Sequence, residues 1–198
     1  MKNERMDRQF QFSMELDKEK FIERQTYLSD GMHKENDAEH AWHMAVMALI
    51  LSEYSNEKID LLRTISMILI HDVVEIDAGD TYAYDEEGKK TKEERERKAA
   101  DRLFGILPKE QENYFKELWY EYEERKTPEA KFARVMDCIQ PLMLNDATDG
   151  RSWKEHGVHL SQVLNRNADT HKGSEELWKY IYEKFIEKNV NNGNLIED

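Results

Sequence analysis

The stretch Ile65-Ser66-Met67-Ile68-Leu69-Ile70-His71-Asp72-Val73-Val74-Glu75 decides how this chain reads. Up to Ile70 it is apolar but for one serine, which marks a buried element, and then two ionisable residues arrive side by side. Leu61, Leu62, Ile65, Leu69 and Val73 fall at helical spacing, which predicts a helix over about 58–76 that stops at Gly79. An unpaired carboxylate at a buried surface is costly, and binding a cation offsets that cost. Neutral imidazole and carboxylate together suit a first-row divalent metal. Glu75 lies four residues after His71 and three after Asp72, on the same helical face. A carboxylate so placed beside a metal meets the requirement for a general base.

The same pattern extends in both directions. A helix over about 16–28 carries Phe21, Ile22 and Tyr27, and 29–32 reads as its stop. Asp37 reads as the N-cap of a helix reaching about residue 55, in which His40 opens the stripe continued by Met44, Met47 and Leu51. The polar and aromatic segment 80–88 reads as an exposed loop, followed by helices over about 92–106 and 108–124, with Pro108 in a first helical turn. Thr127 and Pro128 open a further helix with Phe132, Val135, Met136 and Ile139 inward, Asp137 set among them, and Pro141 expected to kink or end it. Helices over about 153–164 and 174–188 close the chain, with 191–198 expected to fray. The expected fold is all-α: one domain over 1–198, with a core of about 16–145 and C-terminal helices over about 150–190. Only 8 Gly and 3 Pro, with 36% charged residues, agree with long helices.

Composition also excludes partners. A net charge of −13 opposes binding to a nucleic-acid polymer, and a small phosphorylated substrate would need a locally positive site. The apolar run from Ala45 to Leu51 is about a third of a bilayer span, so no membrane role is expected. The charged start lacks a signal-like apolar stretch, and the lone Cys138 rules out an internal disulfide, so a cytoplasmic location is expected.

His, then His-Asp about thirty residues on, then a distant Asp resembles the HD-domain metal-dependent phosphohydrolases. Asp37-Ala38-Glu39-His40-Ala41-Trp42, His71-Asp72-Val73-Val74-Glu75, Gly79-Asp80 and Glu129-Ala130-Lys131-Phe132 with Val135-Met136-Asp137 are similar to the branch containing the YfbR-like 5'-deoxynucleotidases. The resemblance covers about 21–144. It implies that His40, His71, Asp72 and Asp137 hold one divalent transition metal ion, whether manganese, cobalt, iron, nickel or zinc. It further implies that Glu75 positions or activates the attacking water, that Asp80 acts beside the phosphate or sugar, and that Arg24, on the first helix, grips the phosphate. The implied activity is removal of phosphate from (deoxy)nucleoside 5'-monophosphates, and a homodimer is implied as well.

The family places an aromatic residue after that arginine, where this chain has Gln25, and the loop over 27–36 also departs from the family pattern. Both changes fall where the nucleoside would be read. Hydrolysis of a nucleoside triphosphate or a signalling nucleotide is the nearest alternative, and a non-catalytic helical interaction module with a structural metal is the alternative of another class. His156 and His159 form an i,i+3 pair, but their segment is polar and reads as surface; Trp119, Tyr120 and Tyr122 read as packing or a dimer contact.

Overall fold

The computed structural model describes residues 2–198; Met1, with which the expected domain begins, lies outside them. The apolar stripes do become helices, but the caps lie where hydrogen-bond chemistry puts them. Asn36 caps α2 (Asp37–Leu51) in a reciprocal pair: its side chain accepts from Glu39 N at 3.0 Å, and the Glu39 carboxylate accepts from Asn36 N at 3.0 Å. The cap is thus one residue earlier than expected, and Asp37, relieved of that duty, is fully buried. Asp60 caps α3 (Leu61–Ile70) through Arg63 N at 3.1 Å. Met44, Met67 and Ile68, all at 0% exposure, lock the two helices into the core.

The expected helix over 58–76 is interrupted. α3 stops at Ile70, a tight turn follows, and α4 (Glu75–Ala78) restarts the helix. In the turn Val73 N donates to Ile70 O at 3.3 Å and Glu75 N to Asp72 O at 2.8 Å. On a regular helix, neighbouring side chains diverge by about 100°. His71 itself keeps helical dihedrals, φ −64° and ψ −40°, and its Nε2 comes within 3.0 Å of Asp72 Oδ2.

The first expected helix is also corrected. α1 (Lys2–Leu16) precedes it, anchored by Phe12 against the rings of Phe104 and Phe115 at 6.4 and 5.5 Å. After a short 3-10 turn (Asp17–Phe21), the chain forms an antiparallel hairpin, β1 (Glu23–Tyr27) with β2 (Lys34–Asn36). Arg24 therefore sits on a strand. At the hairpin tip Asp30 Oδ1 accepts from Met32 N at 2.8 Å and His33 N at 3.1 Å, a turn chemistry that helix periodicity does not register.

α5 (Glu86–Phe104) starts inside the expected loop, capped by Asp85, and Pro108 is the cap of α6 (Lys109–Glu124) and not part of its first turn. α7 (Pro128–Ala147) begins as expected under Thr127 but runs straight through Pro141. Proline removes the amide that Asp137 O would accept from; buried Ile139, Gln140, Leu142 and Leu144 on either side hold the helix regardless. The C-terminal segment is cut into α8 (Arg151–His156), α9 (Leu160–Arg166), α10 (Thr170–Gly173), α11 (Glu175–Ile181), a π-helical turn (Tyr182–Glu187) and α12 (Lys188–Asn191). The tail does not fray: Leu195 is 4% exposed, Leu160 N donates to Ile196 O at 2.8 Å, and the Asp198 carboxylate accepts from Ser161 N at 2.9 Å.

Gly173 sets how closely α10 approaches α7. A Cβ there would lie 2.6 Å from Val135 Cγ2 and 2.7 Å from Lys131 O. We expect Gly173→Ala to destabilise the protein by about 1–3 kcal/mol, the usual cost of overpacking, and to lower the Tm by several degrees. Thermal unfolding monitored by circular dichroism checks this, and an unchanged Tm would show that α10 can move away freely.

Candidate metal centre

His40 projects from the first turns of α2, His71 and Asp72 from the turn after α3, and Asp137 from the middle of α7. The structure brings them together in the interior, at 0, 4, 9 and 4% exposure. His40 Nε2 lies 3.3 Å from Asp137 Oδ1, and His71 Nε2 lies 3.0 Å from Asp72 Oδ2. Ligand atoms of His40, His71 and Asp72 all fall within 4.8 Å of one another.

Both imidazoles are oriented from behind. His40 Nδ1 meets Gln140 Oε1 at 3.0 Å, and His71 Nδ1 meets Ile68 O at 2.7 Å. Those oxygens only accept, so each Nδ1 carries a proton and each Nε2 faces the centre. On Asp137, Oδ2 is saturated by the Tyr122 hydroxyl at 3.1 Å, Arg166 at 3.2 Å and Arg134, which leaves Oδ1 directed at His40. His71 Nε2, Glu75 Oε2 and Asp37 Oδ2 are buried without a hydrogen-bond partner. An imidazole nitrogen and carboxylate oxygens buried without hydrogen bonds, in two groups that share Asp72, fit a divalent first-row ion.

Arg24 reaches this spot from β1: its Nη1 lies 3.1 Å from Asp72 Oδ2 and 3.2 Å from Asp37 Oδ1. Glu75 is 2% exposed, with Lys92 Nζ 3.9 Å from its Oε1. Burial first, then the charges of Asp72, Asp37 and Asp80, push the Glu75 carboxyl well above the usual carboxylate range. Asp80, half-buried beyond α4, is pushed upward for the same reason, burial and Asp72 outweighing Arg24. Asp37 is raised to about 7 by burial and by Asp72. Asp137 goes the other way, since Arg134 and Arg166 outweigh its burial. Burial works against a charged His71 ring, but the neighbouring carboxylates, Asp72 foremost, outweigh it and hold the imidazole up at about 9.

A cavity of about 750 Å³ opens onto these groups, within the range of small-molecule sites. Arg24, Asp72, Glu75 and Asp80 line one side, and Arg134 and Arg166 another. Sequence reasoning missed Asp37, Glu35, Arg134 and Arg166. For Asp37 a signal existed, because Asn36 and Glu39 form a complete capping pair that leaves the aspartate surplus. Tyr122, read as packing or a dimer contact, does pack in the core, and its hydroxyl also holds Asp137. The rival histidines stay apart from the centre, His159 on Asp198 at 2.9 Å and His156 against the Tyr82 ring at 4.6 Å.

The family model described as "HD domain" matches residues 16–178. The chain belongs to the HD-domain family. This HD domain is 47% identical to a predicted metal-dependent phosphohydrolase from Magnetospirillum magnetotacticum MS-1, whose crystal structure superposes with a TM-score of 0.92 over 97% of this chain and 96% of that one. It is 30% identical to the 5'-deoxynucleotidase HDDC2 of Xenopus laevis over 76% of this chain and 73% of that protein. The Homo sapiens protein of the same name is 32% identical over 55% of this chain, an alignment that spans about half of the human protein (52%).

A metal that took His71 as a ligand would have to displace its Nε2 proton, so its affinity would fall as pH drops below about 9, where that proton is held more tightly. We expect the metal-free HD domain to release about one proton per Mn2+ bound near pH 7, with apparent affinity rising about tenfold per pH unit between pH 6 and 8. Calorimetry in buffers of different ionisation heat measures both, and pH-independent binding would remove His71 from the ligand set.

Proposed function

We propose that this HD domain removes the phosphate from (deoxy)nucleoside 5'-monophosphates, using one divalent ion held by His40, His71, Asp72 and Asp137. The observation that carries the reading is Arg24 Nη1 at 3.1 Å from Asp72 Oδ2: a phosphate-binding fork lies beside a metal-ligating carboxylate at the edge of a substrate-sized cavity. The names of the relatives, 5'-deoxynucleotidase, support the substrate class. Whole-chain similarity to the Magnetospirillum protein supports one domain over 1–198, in which the helices over about 150–190 complete a core of about 16–145.

A divalent ion so held supplies Lewis acidity to the phosphoryl group and makes bound water more acidic. The remaining work falls to the protein's own groups. Arg24 holds phosphate oxygens and spreads their charge as the ester bond breaks. Glu75, on the cavity wall with its carboxyl pushed upward by burial and by Asp72, Asp37 and Asp80, positions the attacking water. Asp80, raised in the same way, faces the sugar side and returns a proton to the leaving 5' oxygen. Among the described residues no helix is long and apolar enough to cross a membrane, and we place the activity in the cytoplasm.

The test is phosphate release from ribo- and deoxyribonucleoside 5'-monophosphates, 3'-monophosphates and triphosphates, by protein stripped of metal and then given manganese, cobalt or zinc. Metal-dependent release from 5'-monophosphates is expected, with Asp72→Ala silent. Arg24→Ala should raise the KM about ten- to a hundredfold, the scale of a lost charge-assisted pair. Turnover of triphosphates alone would keep the site and replace the substrate.

We also propose a homodimer that pairs through the outer face of α2 and α3. Trp42, Leu49, Ile50, Leu62 and Leu69 are 65, 55, 65, 76 and 46% exposed on these adjacent helices. Together they leave on the order of 500 Å² of apolar surface in water, at the upper end for a monomer. A standard interface covers about 800 Å² per partner, and two chains of net charge −13 meet with least repulsion through an uncharged face. Sedimentation should give a dimer for the native chain and a monomer for Leu49→Glu; a monomeric native chain would refute the pairing.

A further inference from the structure

Glu35 is a charge that the metal centre does not use. It sits on β2 at 1% exposure, and its Oε1 accepts from Gln140 Nε2. Its Oε2 has no hydrogen bond within geometric limits, yet lies 3.4 Å from His40 Nδ1 and 3.5 Å from Arg24 Nε. Gln140 closes the circuit: it is itself fully buried, and its Oε1 meets the same His40 Nδ1 at 3.0 Å. Both contacts fall on the Nδ1 side of the His40 ring, opposite the Nε2 that faces Asp137. The carboxylate therefore stands behind the centre and offers it no ligand atom.

The hairpin explains why the charge is there. β1 and β2 pair Glu23 with Asn36 and Tyr27 with Lys34, which brings the Arg24 and Glu35 side chains into one buried layer. Burying a carboxylate among helices is costly unless cationic or donor groups meet it. Here the groups that meet it are a guanidinium of the substrate side, an imidazole of the metal side and the amide that orients that imidazole. One negative charge thus leans on both halves of the site.

We propose that Glu35 is a positioning residue that couples Arg24 to His40, so that the phosphate grip and the metal ligand are held by a single buried carboxylate. The inference rests on the phosphohydrolase reading of the same site. Loss of the charge weakens the proton donation that orients His40 and strengthens its Nε2 as a donor; partners of this kind carry about ten- to a hundredfold in metal affinity. It also frees the Arg24 Nε end from its anchor.

The experiment compares native protein with E35Q, which keeps the shape and removes the charge. Metal-free protein is titrated with Co2+ by calorimetry and by the visible cobalt spectrum, with circular dichroism as the check on folding. The Co2+ dissociation constant is expected to rise at least about tenfold in E35Q. This needs no substrate, so its failure is separate from failure of the nucleotidase reading. With saturating metal, E35Q should also raise the KM for a deoxynucleoside 5'-monophosphate in the native background and add nothing in an Arg24→Ala background. Native-like cobalt affinity in folded E35Q, or KM effects that simply multiply, would overturn the coupling. Should E35Q not fold, E35D retains the charge with a shorter reach; it is expected to weaken cobalt binding, and unchanged binding would overturn the proposal equally.

Discussion

A carboxylate taken out of water is tolerable only beside a cation or a set of donors, and this fold buries Glu35, Asp37, Asp72, Glu75 and Asp137 around the imidazoles of His40 and His71. Arg24 serves Asp37 and Asp72 directly and lies beside Glu35. Arg134 and Arg166 serve Asp137. Glu75 has only Lys92 nearby, at 3.9 Å. Among the buried atoms left without a hydrogen bond are the Nε2 of His71 and an oxygen each of Asp37 and Glu75, whose side chains gather around Asp72. The need for a cation there is a property of the apolar core as much as of the site, since Met44, Met67, Ile68 and Met136 keep water from doing the same work.

Around that requirement, each element has a recognisable task. α7 is the rigid spine, carrying Arg134, Asp137 and Gln140 on successive turns, and its passage through Pro141 keeps the spine unbroken where it lines the cavity. At the end of α3 the bond from His71 Nδ1 to Ile68 O satisfies a carbonyl that the helix end would otherwise leave bare. The β hairpin carries Arg24 across the mouth, a placement that a helix in the same position would not provide with Asp37 directly beneath it.

Legibility in the sequence followed the kind of interaction involved. His40, His71, Asp72 and Asp137 each stand in or beside an apolar helical stripe, which periodicity reports, but only the family resemblance joined them into one set. Arg24 was found through the resemblance alone, and its strand was hidden because pairing with Lys34–Asn36 is a contact between segments that helix spacing does not encode. Asp37 was mistaken for a cap because aspartate favours that position, although Asn36 one residue earlier competes for it. Arg134 and Arg166 match no motif, and only tertiary packing turns them toward Asp137. The tail was expected to fray as chain ends do, yet buried Leu195, the backbone bonds of Ile196 and the Asp198 carboxylate dock it.

The acidic balance of −13 raises a question that the centre itself answers. A dianionic phosphate approaches against that field, but charges beyond about 8 Å are largely screened at physiological ionic strength, so the local set decides. Without a metal, Arg24 is engaged by Asp37 and Asp72, and a phosphate would have to displace both carboxylates to gain it. An ion drawing on Asp72 would release part of that hold and add positive charge at the same place. On the proposed reading, competition among these neighbouring charges would favour the ion arriving before the phosphate.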